Sequence, residues 1–225
     1  MTTTPHPTAV YLELGSKRVF ACALDWPGWC RSGKTIDQAL DALLVYAARY
    51  AAVARKAALA FPQAQRDDIQ VVEQLAGSAG ATDFGVPASI AASDRQPCPA
   101  EVIARHIALL EAAWVVFDHV AAATPANLRK GPRGGGRDRD ALIDHVLAAE
   151  TAYARKLAVR QQQPARDDPA AIAALHQAMV AALEAPDAQA QLPDTRWPPR
   201  YAIRRIAWHV LDHAWEMEDR REPVD

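Results

Sequence analysis

The sequence lacks the features that mark a membrane protein, a disulfide-rich protein or a general nucleic-acid binder. It has no apolar run near about 18 residues, so no membrane span is expected. Only three cysteines occur, an odd and sparse set that does not make a disulfide framework. The formal net charge of −2 argues against nucleic-acid binding driven by overall charge.

A targeting signal is also missing from the first residues. Residues 1–7 have no basic segment followed by an apolar core, so no signal peptide is expected. Reduced thiols in a cytoplasmic protein are therefore the expected state of Cys22, Cys30 and Cys98. Cys22 and Cys30 can approach each other on a hairpin, although cysteines in strands are more often small, buried apolar groups.

The sequence does contain two regions with different hydrophobic periods. Half of its 225 residues are hydrophobic, enough to bury a core. In the first region, strands are predicted at residues 11–14, 17–24, 29–31 and 69–72, and a helix at about residues 35–59. Thr35 is the expected N-cap of that helix, with Gln38 at the capping-box spacing. The predicted order is therefore βββαβ, a small α+β module.

The motifs of this module resemble the HicB-like antitoxin fold. The matching pattern is Asp25-x-Pro27-Gly28 after a strand, then a short strand, Gly33-x-Thr35 and a helix that contains Gln38-Ala39-Leu40. The resemblance extends over about residues 10–76. It implies a module that pairs with toxin partners in that family and serves elsewhere as an accessory module, although no toxin partner is visible in this chain.

Two segments are predicted to have no regular structure. Residues 1–9 are interpreted as a disordered tail. Residues 77–99 are interpreted as a linker or irregular connection, because glycine, alanine, serine, aspartate and proline interrupt every period there.

The second half of the chain has a helical period. Apolar residues recur every three or four positions, which predicts helices at about residues 103–121, 140–157, 169–183 and 201–220. Connections of different lengths separate these four helices. Residues 100–222 are therefore expected to form an all-α four-helix bundle.

The last of these helices contains two histidines four residues apart, His209 and His213. That spacing places both rings on one face, one turn apart, and it is a common way to present two neutral imidazoles to one metal ion. With about 100° of rotation per residue, both lie on the shoulder of the apolar arc. Glu216 falls near His209 on the same projection. Its carboxylate would accept a hydrogen bond from a ring N–H or act as a further ligand.

A third histidine has the equivalent position on the second bundle helix. His145 lies on the shoulder of the apolar face formed by Leu142, Val146 and Tyr153. If the two shoulders face each other, three neutral imidazoles share one cleft, and with open coordination positions they suit Zn²⁺, Ni²⁺ or Fe²⁺. The plainer interpretation leaves each histidine as a half-buried, hydrogen-bonded residue in a bundle without metal.

The same two segments resemble the DinB-like four-helix bundle proteins. The matching stretches are residues 142–150 with His145-Val146-x-x-x-Glu150, and residues 205–219 with His209-x-x-x-His213. The resemblance covers about residues 100–222. It implies that His145, His209 and His213 hold a divalent metal ion.

The DinB-like resemblance also implies a class of chemistry. Related families include thiol-dependent isomerases, S-transferases and many uncharacterised metal hydrolases. The leading hypothesis is an enzyme that activates a thiol or water for transfer, isomerisation or hydrolysis of a small molecule. The DinB-like resemblance further implies a low-molecular-weight thiol as a second cofactor, and it implies that the protein is a homodimer. The alternative is a non-catalytic, metal-stabilised interaction protein whose HicB-like module binds a protein partner or nucleic acid.

The remaining histidines of the second half are not predicted as ligands. His106 and His119 are thirteen residues apart and do not share a helix face. His176, beside Leu175 and Met179, is predicted at the surface or the rim of the bundle.

A basic and aromatic cluster begins the last helix and has two interpretations. It contains Arg200, Arg204 and Arg205 beside Trp197 and Tyr201. It either packs at the start of the helix or lines the mouth of a substrate site.

Overall fold

The computed structural model describes residues 7–131, 135–185 and 195–221, and the structural statements below refer to those ranges. The predicted α+β organisation is confirmed, since a four-stranded sheet precedes a set of helices. Of the predicted tail, residues 1–6 lie outside the described ranges. Strand β1 (Thr8–Leu14) begins inside the remainder, because Thr8 and Ala9 pair with β4 and extend the sheet.

The sheet has one parallel pair at its edge. The other strands are β2 (Val19–Ala23), β3 (Cys30–Gly33) and β4 (Ile69–Ala76), which follows a 3₁₀ turn at Arg66–Asp68. Their spatial order is β3-β2-β1-β4, with β4 parallel to β1 and the other pairs antiparallel. A parallel pair needs a crossover connection, and the helices between β3 and β4 supply it.

The prediction of a single helix over residues 35–59 is wrong. The structure has two helices, α1 (Ile36–Val45) and α2 (Ala47–Lys56), which are divided at Tyr46. Contacts with a distant helix hold Tyr46 at this break. Its ring lies 5.0 Å from the ring of Trp215, and its hydroxyl donates to Asp219. The N-cap prediction is confirmed, since the Thr35 side chain accepts a hydrogen bond from the N–H of Gln38.

The C-terminal region contains the four predicted helices. They are α3 (Ala100–Ala122), α4 (Arg139–Lys156), α5 (Pro169–Glu184) and α6 (Pro199–Arg220). Helices α3 and α4 each pack against both α5 and α6, as in a bundle of four. None of the helices in the described ranges combines the length and the hydropathy that a membrane crossing requires.

Helix α6 lies between the other helices and the sheet. Every residue in positions 201–211 is buried, whereas the sequence predicts a single apolar face. The difference arises because α6 packs against α3 and α4 on one side and against the sheet on another. On the sheet side, the rings of Trp208 and Phe20 meet edge to face at 6.1 Å. The helix that carries two of the candidate ligands is therefore held by both parts of the chain.

The irregular segment at residues 77–99 is packed against the sheet. The buried carboxylate of Glu13 on β1 accepts hydrogen bonds from the backbone N–H of Ala88 at 3.1 Å and of Ser89 at 2.8 Å. Buried carboxylates are stable only when their oxygens are hydrogen-bonded. This contact therefore fixes the segment to β1.

A buried ion pair fixes the same segment to α6. Asp94 lies in a 3₁₀ turn at Ala92–Arg95, and both of its carboxylate oxygens accept hydrogen bonds from the guanidinium of Arg204. Burial alone would lower the pKa of Arg204, but the charge of Asp94 raises it above its ordinary value. Arg204 therefore stays charged at neutral pH.

One hydrophobic core runs through the two parts of the chain. It includes Val10 and Leu12 of the sheet, Leu43 of α1, Val53 of α2, Leu110 of α3, Leu142 of α4, Leu175 of α5 and Ile206 of α6. A second, smaller cluster fills the space between the other sheet face and α6. Within the described ranges, the sheet and the helices therefore share apolar packing.

Gly28, in the turn between β2 and β3, permits a close approach of this turn to α6. Its φ of +92° is in the left-handed region, and a Cβ there would lie 2.7 Å from Cδ1 of Leu211. We expect Gly28→Ala to lower the free energy of unfolding by about 1–3 kcal/mol, through backbone strain and overpacking. Urea unfolding followed by circular dichroism measures this change. Gly80→Ala is the control, because a Cβ at Gly80 meets no atom within 4 Å.

Candidate metal centre

The three histidines predicted as ligands lie together between α4 and α6. One nitrogen from each of His145, His209 and His213 can be chosen so that the three atoms lie within 4.8 Å of one another. The ring centroids are 5.1 Å apart for His145 and His209, 4.9 Å for His145 and His213, and 4.6 Å for His209 and His213. The imidazoles thus form a nearly equilateral triangle.

This triangle follows from the way the two helices pack. His209 and His213 occupy successive turns of α6, as their spacing predicts. His145 near the start of α4 contacts both, while Tyr153, two turns later on α4, contacts His209 at 5.7 Å. The two helices therefore run antiparallel, and all four side chains lie in the seam between α4 and α6.

Burial keeps two of the candidate ligands, His145 and His209, in the form that binds metal. Removal from water lowers the pKa of His145 to about 4, with a further contribution from the charge of His213. Burial also lowers the pKa of His209 well below its ordinary value, and neighbouring positive groups add to the shift. A histidine ligates metal as the neutral imidazole, so both rings are competent at neutral pH.

Glu216 orients the third ring. The Nδ1 of His213 donates to a carboxylate oxygen of Glu216 at 2.8 Å, and the other carboxylate oxygen accepts from Arg220 at 2.6 Å. Although burial raises the pKa of Glu216, these two hydrogen bonds bring it below its ordinary value. A carboxylate on Nδ1 fixes the tautomer of a histidine and leaves Nε2 to act as a ligand. Of the two roles predicted for Glu216, this geometry supports the outer partner.

A further observation supports a divalent cation at this site. The Nδ1 of His209 is buried and has no hydrogen-bond partner among the described residues. Buried polar atoms without partners are rare and need an explanation. Three neutral nitrogens from two rigid helices, one of them already oriented by a carboxylate, form a donor set that suits Zn²⁺, Ni²⁺ or Fe²⁺.

His176 is half-buried, which agrees with the predicted position at the surface or the rim of the bundle, and it also contacts buried groups. Its ring stacks on Trp114 with centroids 3.8 Å apart, and its Nε2 lies 3.1 Å from the buried carboxylate of Glu150. Trp114 also donates a hydrogen bond to Glu150. The sequence does not show these contacts, which arise because the buried carboxylate of α4 needs partners and α5 supplies His176 as one of them.

His106 is 0 % exposed, and neither of its ring nitrogens has a hydrogen-bond partner in the described ranges. Burial lowers its pKa to about 3. Between about pH 6.5 and pH 3 the unfolded chain therefore binds a proton on this ring that the folded chain does not. Wild-type stability should fall as the pH falls through this window.

We therefore expect His106→Leu to remove this part of the acid sensitivity. At pH 7 the variant should unfold within about 1 kcal/mol of the wild type, because leucine leaves no unpaired polar atom. At pH 4.5 it should be more stable than the wild type by about 2–3 kcal/mol. Urea unfolding at both pH values measures the difference. Equal pH dependence of the two proteins would refute a neutral, unpartnered His106.

The cysteines lie outside this centre. Cys22 and Cys30 are opposite each other on β2 and β3, with their sulfurs 2.8 Å apart, and both are buried. Burial raises the pKa of the Cys30 thiol well above its ordinary value. This thiol is therefore protonated and unreactive at neutral pH.

Sequence reasoning did not place Arg205 and Trp208 beside the candidate centre. The guanidinium carbon of Arg205 lies 4.6 Å from the Trp208 ring and 5.1 Å from the Tyr153 ring. The available signal was the position of Arg205, four residues before His209 on the same helix. Of the two interpretations of the basic and aromatic cluster, packing accounts for Arg204, whereas Arg205 borders the histidines.

Comparison with known proteins finds no family model that matches the chain, and no significant similarity to a curated protein or a solved structure. The DinB-like and HicB-like resemblances therefore rest on the sequence motifs that carry them.

Proposed function

We propose that this protein is a metal-dependent enzyme of the DinB-like kind, in which His145, His209 and His213 hold a divalent ion beside a small-molecule substrate. The observation that carries the proposal is the triangle of three imidazoles with ligand atoms within 4.8 Å of one another. Sites with three protein ligands are typical of catalytic metals, because they leave coordination positions for water or substrate.

A divalent ion in this position supplies Lewis-acid chemistry, which polarises a substrate or lowers the pKa of a water or thiol. The class of reaction proposed is therefore transfer, isomerisation or hydrolysis, with a low-molecular-weight thiol as the co-substrate of transfer or as a regenerated cofactor of isomerisation. The same three histidine ligands would serve any of these reactions.

Side chains beside the three histidines hold a ligand in position and provide a hydrogen-bond donor. Glu216 holds His213 by its Nδ1, so the ring does not rotate away from the cluster. Burial raises the pKa of Tyr153, although the charge of Arg205 opposes the shift. The Tyr153 hydroxyl is thus a hydrogen-bond donor at neutral pH, on a ring 5.7 Å from that of His209.

The test begins with metal analysis of the full chain purified without a histidine tag. We expect close to one Zn, Ni or Fe ion per chain, and reloading of metal-free protein by the same ion. A content far below one ion per chain, with no uptake on reloading, would overturn the proposal.

A second step distinguishes the enzyme from its alternative. Each metal form is assayed for thiol transfer, isomerisation and hydrolysis with several low-molecular-weight thiols. Metal-dependent turnover supports the enzyme. A stoichiometric metal with no turnover in any form would favour the metal-stabilised interaction protein.

A further inference from the structure

Arg205 is a buried cation without a countercharge. Its residue is 8 % exposed, and its Nη1 is buried with no hydrogen-bond partner among the described residues. Within those ranges no ion pair includes it, whereas the adjacent Arg204 is paired with Asp94. A buried charge is costly unless it is paired. The guanidinium does have a side-chain hydrogen bond with Tyr153, but a neutral hydroxyl does not offset a buried charge, so an anion at Nη1 would complete its contacts.

The position of Arg205 connects it to the three-histidine centre. It precedes His209 by one helical turn, so the two side chains project from the same part of α6. The same two rings contact both groups: Tyr153 lies 5.1 Å from the Arg205 guanidinium carbon and 5.7 Å from the His209 ring, and Trp208 lies 4.6 Å and 6.1 Å from them. The guanidinium and the imidazole thus contact the same two aromatic rings.

The charges around the centre also favour an anion. The nearby carboxylates already have partners, since Glu216 accepts from Arg220 and Asp212 pairs with Arg31 at 2.7 Å. Three neutral imidazoles would leave the two positive charges of a bound ion unneutralised. With Arg205 added, this part of the seam is strongly positive, and its complement is a small negatively charged molecule.

We propose that Arg205 binds an oxyanion group of the substrate, which makes the substrates small carboxylates or phosphates that react at an atom about one helical turn, ~5 Å, from that group. This inference rests on the proposed function, because the histidine centre defines where the reacting atom lies. The guanidinium offers parallel N–H donors that match an oxyanion, and the rings of Tyr153 and Trp208 hold it in place.

The test compares two thiols on the Co²⁺-substituted protein, whose thiolate absorption reports binding. 3-Mercaptopropionate carries a carboxylate, and 2-mercaptoethanol is a neutral thiol of similar size. We expect wild type to bind the acid about 10-fold more tightly than the alcohol, and Arg205→Gln to lose this preference. Arg205→Lys should keep part of it, because it retains the charge without the planar fork. 2-Mercaptoethylphosphonate, compared in the same way, shows whether carboxylate or phosphate chemistry is preferred.

Arg31→Gln is the matched control. Arg31 also stacks on two aromatic rings, those of Tyr46 at 3.9 Å and Trp215 at 5.5 Å, but it is paired with Asp212. We expect this variant to retain the wild-type preference for the acid. An equal loss in both variants would show that any arginine near α6 produces the effect, and it would overturn the assignment to Arg205.

A measurement on metal-free protein separates this inference from the proposed function. Titration with propionate should produce a saturable shift of the ¹⁵N guanidinium signal of Arg205, and the signal disappears in Arg205→Lys. If the protein binds no metal, the proposed function fails while this arm still tests the oxyanion site. No shift, together with equal thiol preference in wild type and Arg205→Gln, would overturn the inference. Apart from Tyr153 and Trp208, Arg205 would then contact only water, in the cavity of about 20 Å³ that it lines with Trp208.

Discussion

The His209→Asn variant is expected to bind divalent metal at least about 100-fold more weakly than the wild type. His209 is the most buried of the three candidate ligands, and its ring contacts both His145 and His213. Asparagine is polar but shorter, and its amide does not reach the centre of the triangle. Competition with a chelating dye measures the affinity of each protein.

Two other variants define the expected order of effects. His119→Asn changes an exposed histidine on α3 and should leave the metal affinity unchanged. Glu216→Gln should weaken binding by about 10-fold, because it removes the carboxylate that orients His213 while leaving all three ligands. Equal metal affinity in His209→Asn and in wild type would contradict the ligand assignment.

Thermal unfolding gives an independent reading of the same variant. A metal that binds only the folded protein stabilises it by about 2.7 kcal/mol when present at 100 times its dissociation constant. Added metal should therefore raise the Tm of wild type, whereas at the same concentration His209→Asn should gain no more than about 0.4 kcal/mol, because it binds the metal at least about 100-fold more weakly. This comparison separates the loss of a ligand from a general loss of stability, because a general loss would lower the Tm of the variant even in the absence of metal.

The ligand triad was accessible from the sequence because it depends on helix geometry. The four-residue spacing of His209 and His213 fixes their common face in any α-helix. The phase of His145 against its own apolar neighbours places it on a shoulder in the same way. Only the facing of the two shoulders needed the tertiary structure, and a bundle offers few ways to pair them.

The missed features depend on contacts between distant parts of the chain. Tyr46 is held at the division between α1 and α2 by contacts with Trp215 and Asp219. No local sequence pattern shows these contacts, so the sequence does not predict the division. A helical period assumes one buried side, and α6 has several because the sheet covers what would otherwise be solvent-exposed. The burial of Arg204 and Arg205 follows from that covering.

The largest expected effect on stability is that of Asp94→Ala, which should lower the free energy of unfolding by about 3–5 kcal/mol. The Arg204 and Asp94 side chains are 6 % and 0 % exposed, so the substitution leaves a guanidinium buried without its countercharge. Urea unfolding followed by tryptophan fluorescence measures the loss. The reason is the missing charge partner, so the double variant Asp94→Leu, Arg204→Met should recover most of the stability.

A more exposed ion pair on α6 provides the comparison for this prediction. Arg31 and Asp212 are 21 % and 36 % exposed, so Asp212→Ala should cost about 1 kcal/mol or less. Similar losses in Asp94→Ala and Asp212→Ala would contradict the role given to burial. Metal affinity of the folded Asp94→Ala protein should stay at the wild-type value, because Asp94 contacts Arg204 and none of the three histidines. The ion pair would then hold residues 77–99 against α6, and the seam between α4 and α6 would form the metal centre independently of it.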